Sequence, residues 1–135
     1  MRKQLFCLLF LMPILAAAQS DYKVVFDLTS RDSMDHKALL RWVGGIAQTE
    51  PQAQLEVVMY GQGVHMARRG GSPVESTVLK LLQSKNVRFK VCGVALKNQG
   101  IAGNELLPGI ETVSDGIYEI IQRQKQGWGY IKAGL

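Results

Sequence analysis

Val87-Arg88-Phe89-Lys90-Val91-Cys92-Gly93 is the stretch that decides how the chain folds. Val87, Phe89 and Val91 alternate with Arg88, Lys90 and Cys92, the period of two that marks a β-strand with two different faces. Gly93 punctuates its end. Just upstream, Val74, Val78, Leu81 and Leu82 recur at helical spacing up to about residue 85. Ser72 as N-cap, Pro73 at the first helical position and Glu75 as the acid of a capping box predict where that helix starts. A helix therefore feeds directly into a strand.

The same unit recurs on both sides. Residues 22–28 predict a strand around Val24-Val25-Phe26, closed by the polar run Thr29-Ser30-Arg31-Asp32-Ser33. Asp32 or Ser33 then caps a helix over 34–49, with Leu39, Trp42, Val43 and Ile46 on its apolar stripe. Gly44 and Gly45 lie within it, each costing about 1 kcal/mol against alanine. Residues 55–60 predict a second strand, and Gly61-Gln62-Gly63-Val64 a turn. Residues 93–99 read as a turn or short helix, 100–103 as a loop and 110–113 as a short strand. Ser114 or Asp115 caps a last helix over 116–125, with Ile117, Ile120 and Ile121 expected to be buried. Gly127 stops it, and 128–132 predict a final strand. Alternating apolar strands and amphipathic helices favour a parallel sheet covered on both faces, a three-layer α/β/α sandwich.

Composition bounds the rest. The chain has 135 residues, 47% apolar and 20% charged, with a mean hydropathy of +0.02, which is ordinary for one globular domain. Residues 1–18 predict a signal peptide: Arg2 and Lys3 precede the apolar run 5–15, and Ala16-Ala17-Ala18 supplies small residues for cleavage. That apolar run is too short to span a bilayer. The mature domain is then residues 19–135, secreted or periplasmic, with no membrane association after cleavage. A domain of that size buries roughly two-thirds of its unfolded surface. Removing Arg2 and Lys3 leaves 14 of 16 basic residues against 11 acidic ones, a surplus of three. That is too small for a nucleic-acid surface, and the basic residues are not interleaved with aromatics.

Cleavage also removes Cys7, so Cys92 is the single mature thiol. It cannot form an intrachain disulfide, which excludes disulfide frameworks, Cys-x-x-Cys redox pairs and multi-cysteine zinc sites. Cys92 sits where a strand gives way to the next segment, the place where parallel α/β sheets gather ligands. Lys90 and Lys97 are candidate stabilisers of its thiolate, together with backbone N–H groups of the following segment, and Gly93 allows close approach. The competing reading is a small buried hydrophobe, since free cysteine is among the most buried residue types.

Other chemistries find little support. His36 and His65 show no metal-ligand spacing, so no metal is expected. The 29–33 loop lacks the glycine a phosphate cradle needs and carries Asp32, which would repel a phosphate. Gly61-Gln62-Gly63 lacks the third glycine of a dinucleotide fingerprint, and no cofactor is expected. No Gly-x-Ser-x-Gly nucleophile elbow is present.

Val91-Cys92-Gly93-Val94-Ala95-Leu96-Lys97, then Gly100-Ile101 and Leu106-Leu107-Pro108, resemble the DsrE/DsrF-like (YchN-type) family. Gly61-Gln62-Gly63-Val64 and the ending Gln124-Lys125-Gln126-Gly127-Trp128-Gly129-Tyr130-Ile131-Lys132 fit it too. The resemblance spans residues 22–132. It implies a mostly parallel five-stranded sheet, assembly into homotrimers or hexamers, and, as in some relatives, a persulfide carried at the position of Cys92. The partners so implied are a sulfur donor or acceptor protein, or a small sulfur compound. The signal peptide departs from the cytoplasmic relay proteins of that family. The alternative is a non-catalytic oligomeric binding module with a structural cysteine, in which Trp128, Tyr130 and Ile131 serve subunit contacts.

Overall fold

A computed structural model describes residues 21–134; the expected signal peptide lies outside the described residues. The elements run β1 (Lys23–Leu28), α1 (Ser33–Thr49), β2 (Gln54–Met59), α2 (Glu75–Leu81), β3 (Val87–Cys92), α3 (Gly93–Asn98), β4 (Glu111–Val113), α4 (Gly116–Lys125) and β5 (Gly129–Ala133). A 3-10 helix occupies Gly61–Ala67 and a shorter one Gly103–Glu105. The five strands form one sheet in the order β4-β3-β2-β1-β5. Every pair in it is parallel.

The topology follows from chain handedness. From β1 to β4 the chain steps across the sheet in one direction, then returns past β1 to add β5 on the far edge. Parallel crossovers are right-handed, so reversing the direction of travel moves the connecting helix to the opposite face. Accordingly α1 and α2 pack Leu39, Leu40, Val43 and Val78 against Phe26, Leu28, Val57, Phe89 and Val91 in the larger core. On the other face Ile120 of α4 packs with Val25 and Val58.

Several local readings hold and several are corrected. Asp32 caps α1, its carboxylate accepting from the Met34 N–H at 2.7 Å. Gly44 and Gly45 stay within that helix. The expected capping box at Ser72 does not form: Val74 holds the cap position, and the Glu75 carboxylate accepts instead from the Gly70 N–H at 2.7 Å. The expected turn at 61–64 is the start of the seven-residue 3-10 helix. A Cβ on Gly63 would lie 2.2 Å from the Leu28 carbonyl oxygen, so this helix packs on the end of β1 only because residue 63 has no side chain.

Ile120 is buried as expected, but Ile117 and Ile121 are 54% and 43% exposed. Ile117, Ile120 and Ile121 share one stripe at i, i+3, i+4 spacing, but α4 also turns the charges of Glu119 and Arg123 to the sheet, and only Ile120 is drawn in beside them. That charge belongs to a four-residue network in which Lys90 and Glu56 are buried and Glu119 and Arg123 partly buried. Lys90 donates to Glu119 at 2.7 Å and lies 3.3 Å from Glu56. Arg123 reaches Glu56 at 2.9 Å and Glu119 at 3.0 Å. Burial raises the Glu56 pKa, opposed by its hydrogen bond from Arg123. Burial is the largest single influence on Glu119 and acts upward, but the hydrogen bonds with Lys90 and Glu56 and the charges of Lys90 and Arg123 together outweigh it, and the net shift is downward.

β5 is attached to β1 by a second polar cluster. Asp27 is buried, and its Oδ2 accepts from Tyr130 at 2.5 Å and from Tyr60 at 3.3 Å. Lys132 lies 3.7 Å from the same carboxylate and donates to Thr29 at 3.1 Å. The hydrogen bond to Asp27, with burial adding to it, pushes the Tyr130 pKa up to about 12. A group whose pKa is raised on folding stabilises the fold fully below its unfolded value of 10 and loses that contribution as the pH climbs through 12. The urea midpoint of the wild type should therefore fall between pH 10 and 12. Tyr130→Phe should start lower and show a shallower fall, read by circular dichroism; an unchanged alkaline slope would remove Asp27 as the partner.

Candidate functional site

The carboxyl ends of β3 and β4 diverge. After β3 the chain enters α3, whose Ala95 and Leu96 join the larger core; after β4 it enters α4 on the opposite face. Such a switch in direction opens a crevice at the strand ends in parallel α/β sheets. A cavity of about 200 Å³ lies there, walled by Tyr60, Gly61, Cys92, Ala95, Asn98, Gln99, Asp115 and Ile117, with Val94 at its rim.

Cys92, the last residue of β3, is 5% exposed and lines this cavity. It occupies the cap position of α3, where its side chain makes no capping hydrogen bond. Two glycines set its surroundings. A Cβ on Gly93 would stand 3.1 Å from the Val113 carbonyl oxygen, so Gly93 gives the close approach expected of it, and what approaches is the β4 backbone. A Cβ on Gly116 would stand 3.1 Å from Cys92 Cβ, 3.2 Å from Tyr60 Cβ and 3.2 Å from Val58 Cγ1. The start of α4 therefore rests directly on Cys92.

The two lysines named with Cys92 lie elsewhere. The Lys90 ammonium is engaged by Glu119 and Glu56 beneath α4. Lys97 is exposed on α3 and is absent from the cavity wall. The polar groups that do reach the wall are carboxamides and one carboxylate. Gln99 is oriented by His65, its Oε1 lying 3.3 Å from His65 Nε2. Asp115 caps α4, accepting from the Ile117 N–H at 2.8 Å and the Tyr118 N–H at 3.2 Å. Tyr60 is tied to Asp27, and burial, aided by the Asp27 charge, raises its pKa.

Tyr60, Asn98, Gln99 and Gly116 were not legible as site residues, because neighbouring strand ends bring them together across long sequence separations. Asp115 was legible only as a helix cap. His36, expected to ligate nothing, uses Nε2 to donate to the Ser30 carbonyl at 2.9 Å. No cluster of three or more metal-ligating side chains occurs among the described residues. The cavity is smaller than the roughly 300–1,000 Å³ typical of pockets for drug-sized ligands. It admits only a small molecule or the tip of a side chain.

The DsrE/DsrF-like family model matches residues 15–133. The chain belongs to the DsrE/DsrF-like family. This family is associated with sulfur relay. Among solved structures, the protein of unknown function MTH1491 from Methanobacterium thermoautotrophicum is 35% identical, with a TM-score of 0.77 over 83% of this chain and 99% of that one. The ychN protein from E. coli superposes with a TM-score of 0.68 at 20% identity, over 82% and 97% of the two chains. BT1422 from Bacteroides thetaiotaomicron, of unknown function, gives 0.69 at 19% identity, over 86% and 98%. The latter two likenesses speak to the fold alone. No curated protein matches the chain.

In this DsrE-like protein the seat of α4 on Cys92 is directly testable. Gly116→Ala places a methyl against two Cβ atoms, which no rotamer change can move. Overpacking of that kind costs about 1–3 kcal/mol. Urea unfolding should show a loss in that range, with a changed rate of Cys92 alkylation; unchanged stability and rate would mean that α4 does not bear on the thiol.

Proposed function

We propose that this DsrE-like protein carries sulfane sulfur as a persulfide on Cys92. The supporting observation is the placement of its single described cysteine in the wall of a small cavity at the strand-end switch point. The family's association with sulfur relay supports the same reading.

The chemistry is redox-neutral. The Cys92 thiolate attacks the outer sulfur of a donor persulfide, R–S–SH. The S–S bond of the donor breaks, R–S⁻ departs and takes up a proton, and Cys92–S–SH forms, its own proton ionising to give the perthiolate. An acceptor thiolate then attacks the outer sulfur of the protonated Cys92–S–SH and the Cys92 thiolate is regenerated. Within the cavity, the carboxamide N–H groups of Asn98 and Gln99 are the nearest candidates to steady the perthiolate, with Gly93 N–H beside it. Lys97, on the last turn of α3 but off the cavity wall, contributes at most long-range positive charge, and Lys90 acts indirectly by holding α4 over the site.

The donor and acceptor are a partner protein or a small sulfur compound, met in the periplasm or outside the cell after removal of residues 1–18. No described helix is long and apolar enough to cross a membrane. The protein is a homo-oligomer, trimer or hexamer, in this proposal. Support comes from the exposed apolar side chains Ile117, Tyr118 and Ile121 along α4 and Tyr130 and Ile131 on the edge strand. Sedimentation equilibrium reads the subunit number directly, and a monomer at micromolar concentration would contradict it.

Intact mass spectrometry of the mature protein, after polysulfide and then reductant, tests the persulfide. The wild type should gain sulfur mass reversibly and Cys92→Ser should gain none while keeping its circular dichroism spectrum. Loading that persists in the variant, or no loading in the wild type, would sink the proposal and leave Cys92 as a structural thiol in a binding module.

A further inference from the structure

We propose that the opposite end of the sheet holds a second site, for an oxyanion of phosphate or sulfate type. A concavity of about 360 Å³ opens where β2 and β3 begin, walled in part by Gln54, Lys85, Asn86, Arg88, Arg123 and Trp128. Val87 and Cys92 are five residues apart on β3, so this site lies about 16 Å from the thiol at strand spacing.

Its charge is unbalanced. Glu56 also lines the concavity, but it is fully buried and neutralised by Lys90 and Arg123. Arg123 is fixed in place: it donates to Glu56 at 3.1 Å and to the Gln126 side chain at 3.1 Å, and stacks over the Trp128 ring at 4.9 Å. Arg123 is therefore a rigid wall. The exposed cations Lys85 and Arg88 have no hydrogen bond or ion pair among the described residues, which leaves two positive charges facing one space. The same wall contains Asn86, whose Nδ2 is buried without a hydrogen-bond partner. A buried donor without an acceptor is costly, and a rotation of the side chain toward the concavity would let a ligand oxygen satisfy it.

Two free cations, one unused amide donor and a rigid guanidinium–indole wall match an oxyanion, which accepts from several donors at once. The volume admits the anion alone or attached to a small organic group, up to the size of a mononucleotide. Buried ion pairs contribute little net stability. Holding Arg123 and Trp128 in register for this site gives the Glu56–Lys90–Glu119–Arg123 network a further use.

Trp128 supplies the readout. In a Trp42→Phe background its emission should change saturably on titration with inorganic phosphate, or with adenosine 5′-monophosphate, at constant ionic strength set with chloride. Tighter binding of the nucleotide would assign the site to organic phosphates, and equal binding to the free anion. Lys85→Gln/Arg88→Gln, both exposed and outside the core, should weaken either titration at least tenfold. No saturable change with either probe, or undiminished affinity in the double variant, would overturn the proposal.

Discussion

The position of α4 is the constraint on which the site depends. At its first residue, Gly116 has no side chain to hold it off Cys92, Tyr60 and Val58. One and two turns later Glu119 and Arg123 meet Lys90 and Glu56 on the sheet. One end is thus fixed by contact and the other by charge. Two carboxylates and two cations cancel, so the half-buried cluster carries no net charge. Its value lies in register more than in stability, since such clusters often add little net free energy over apolar packing. Slide α4 by one residue and both contacts are lost together.

That seating shapes the chemistry. With α4 resting on Cys92, the thiol is sheltered from bulk water on one side and faces a cavity of about 200 Å³ on the other. Asp115 spends its charge on the first N–H groups of α4, and His65 fixes the Gln99 carboxamide. Asp27 ties the cavity wall to the edge strand, taking hydrogen bonds from Tyr60 and from Tyr130. The DsrE-like fold so furnishes a small compartment around one sulfur.

Much of the architecture was legible because it is local. Alternation around Val87–Cys92 and the stripes of α1 and α2 depend on nearest neighbours, and they gave the layers and the parallel sheet. The Asp32 and Asp115 caps were readable for the same reason. The 3-10 helix at Gly61–Ala67 was not, because its cause is tertiary: Gly63 packs on the Leu28 carbonyl of another strand. Ser72 and Glu75 satisfied the capping pattern, yet a nearby backbone N–H at Gly70 captured the carboxylate. Lys90 looked like a free cation beside Cys92, because its partners lie 34 and 29 residues away. The place of Cys92 at the end of a strand was readable from the alternation, whereas the glycine pressed against it was not.

The account rests on Cys92 being an accessible thiol within a folded protein, and alkylation in the native state measures that directly. Mature protein is treated with iodoacetamide at neutral pH, with and without urea, and modification is followed by mass over minutes. Native Cys92, 5% exposed but facing the cavity, should be modified without urea, at a rate below that of the unfolded chain. A thiol that stays unmodified while folded and reacts only in urea would contradict the account.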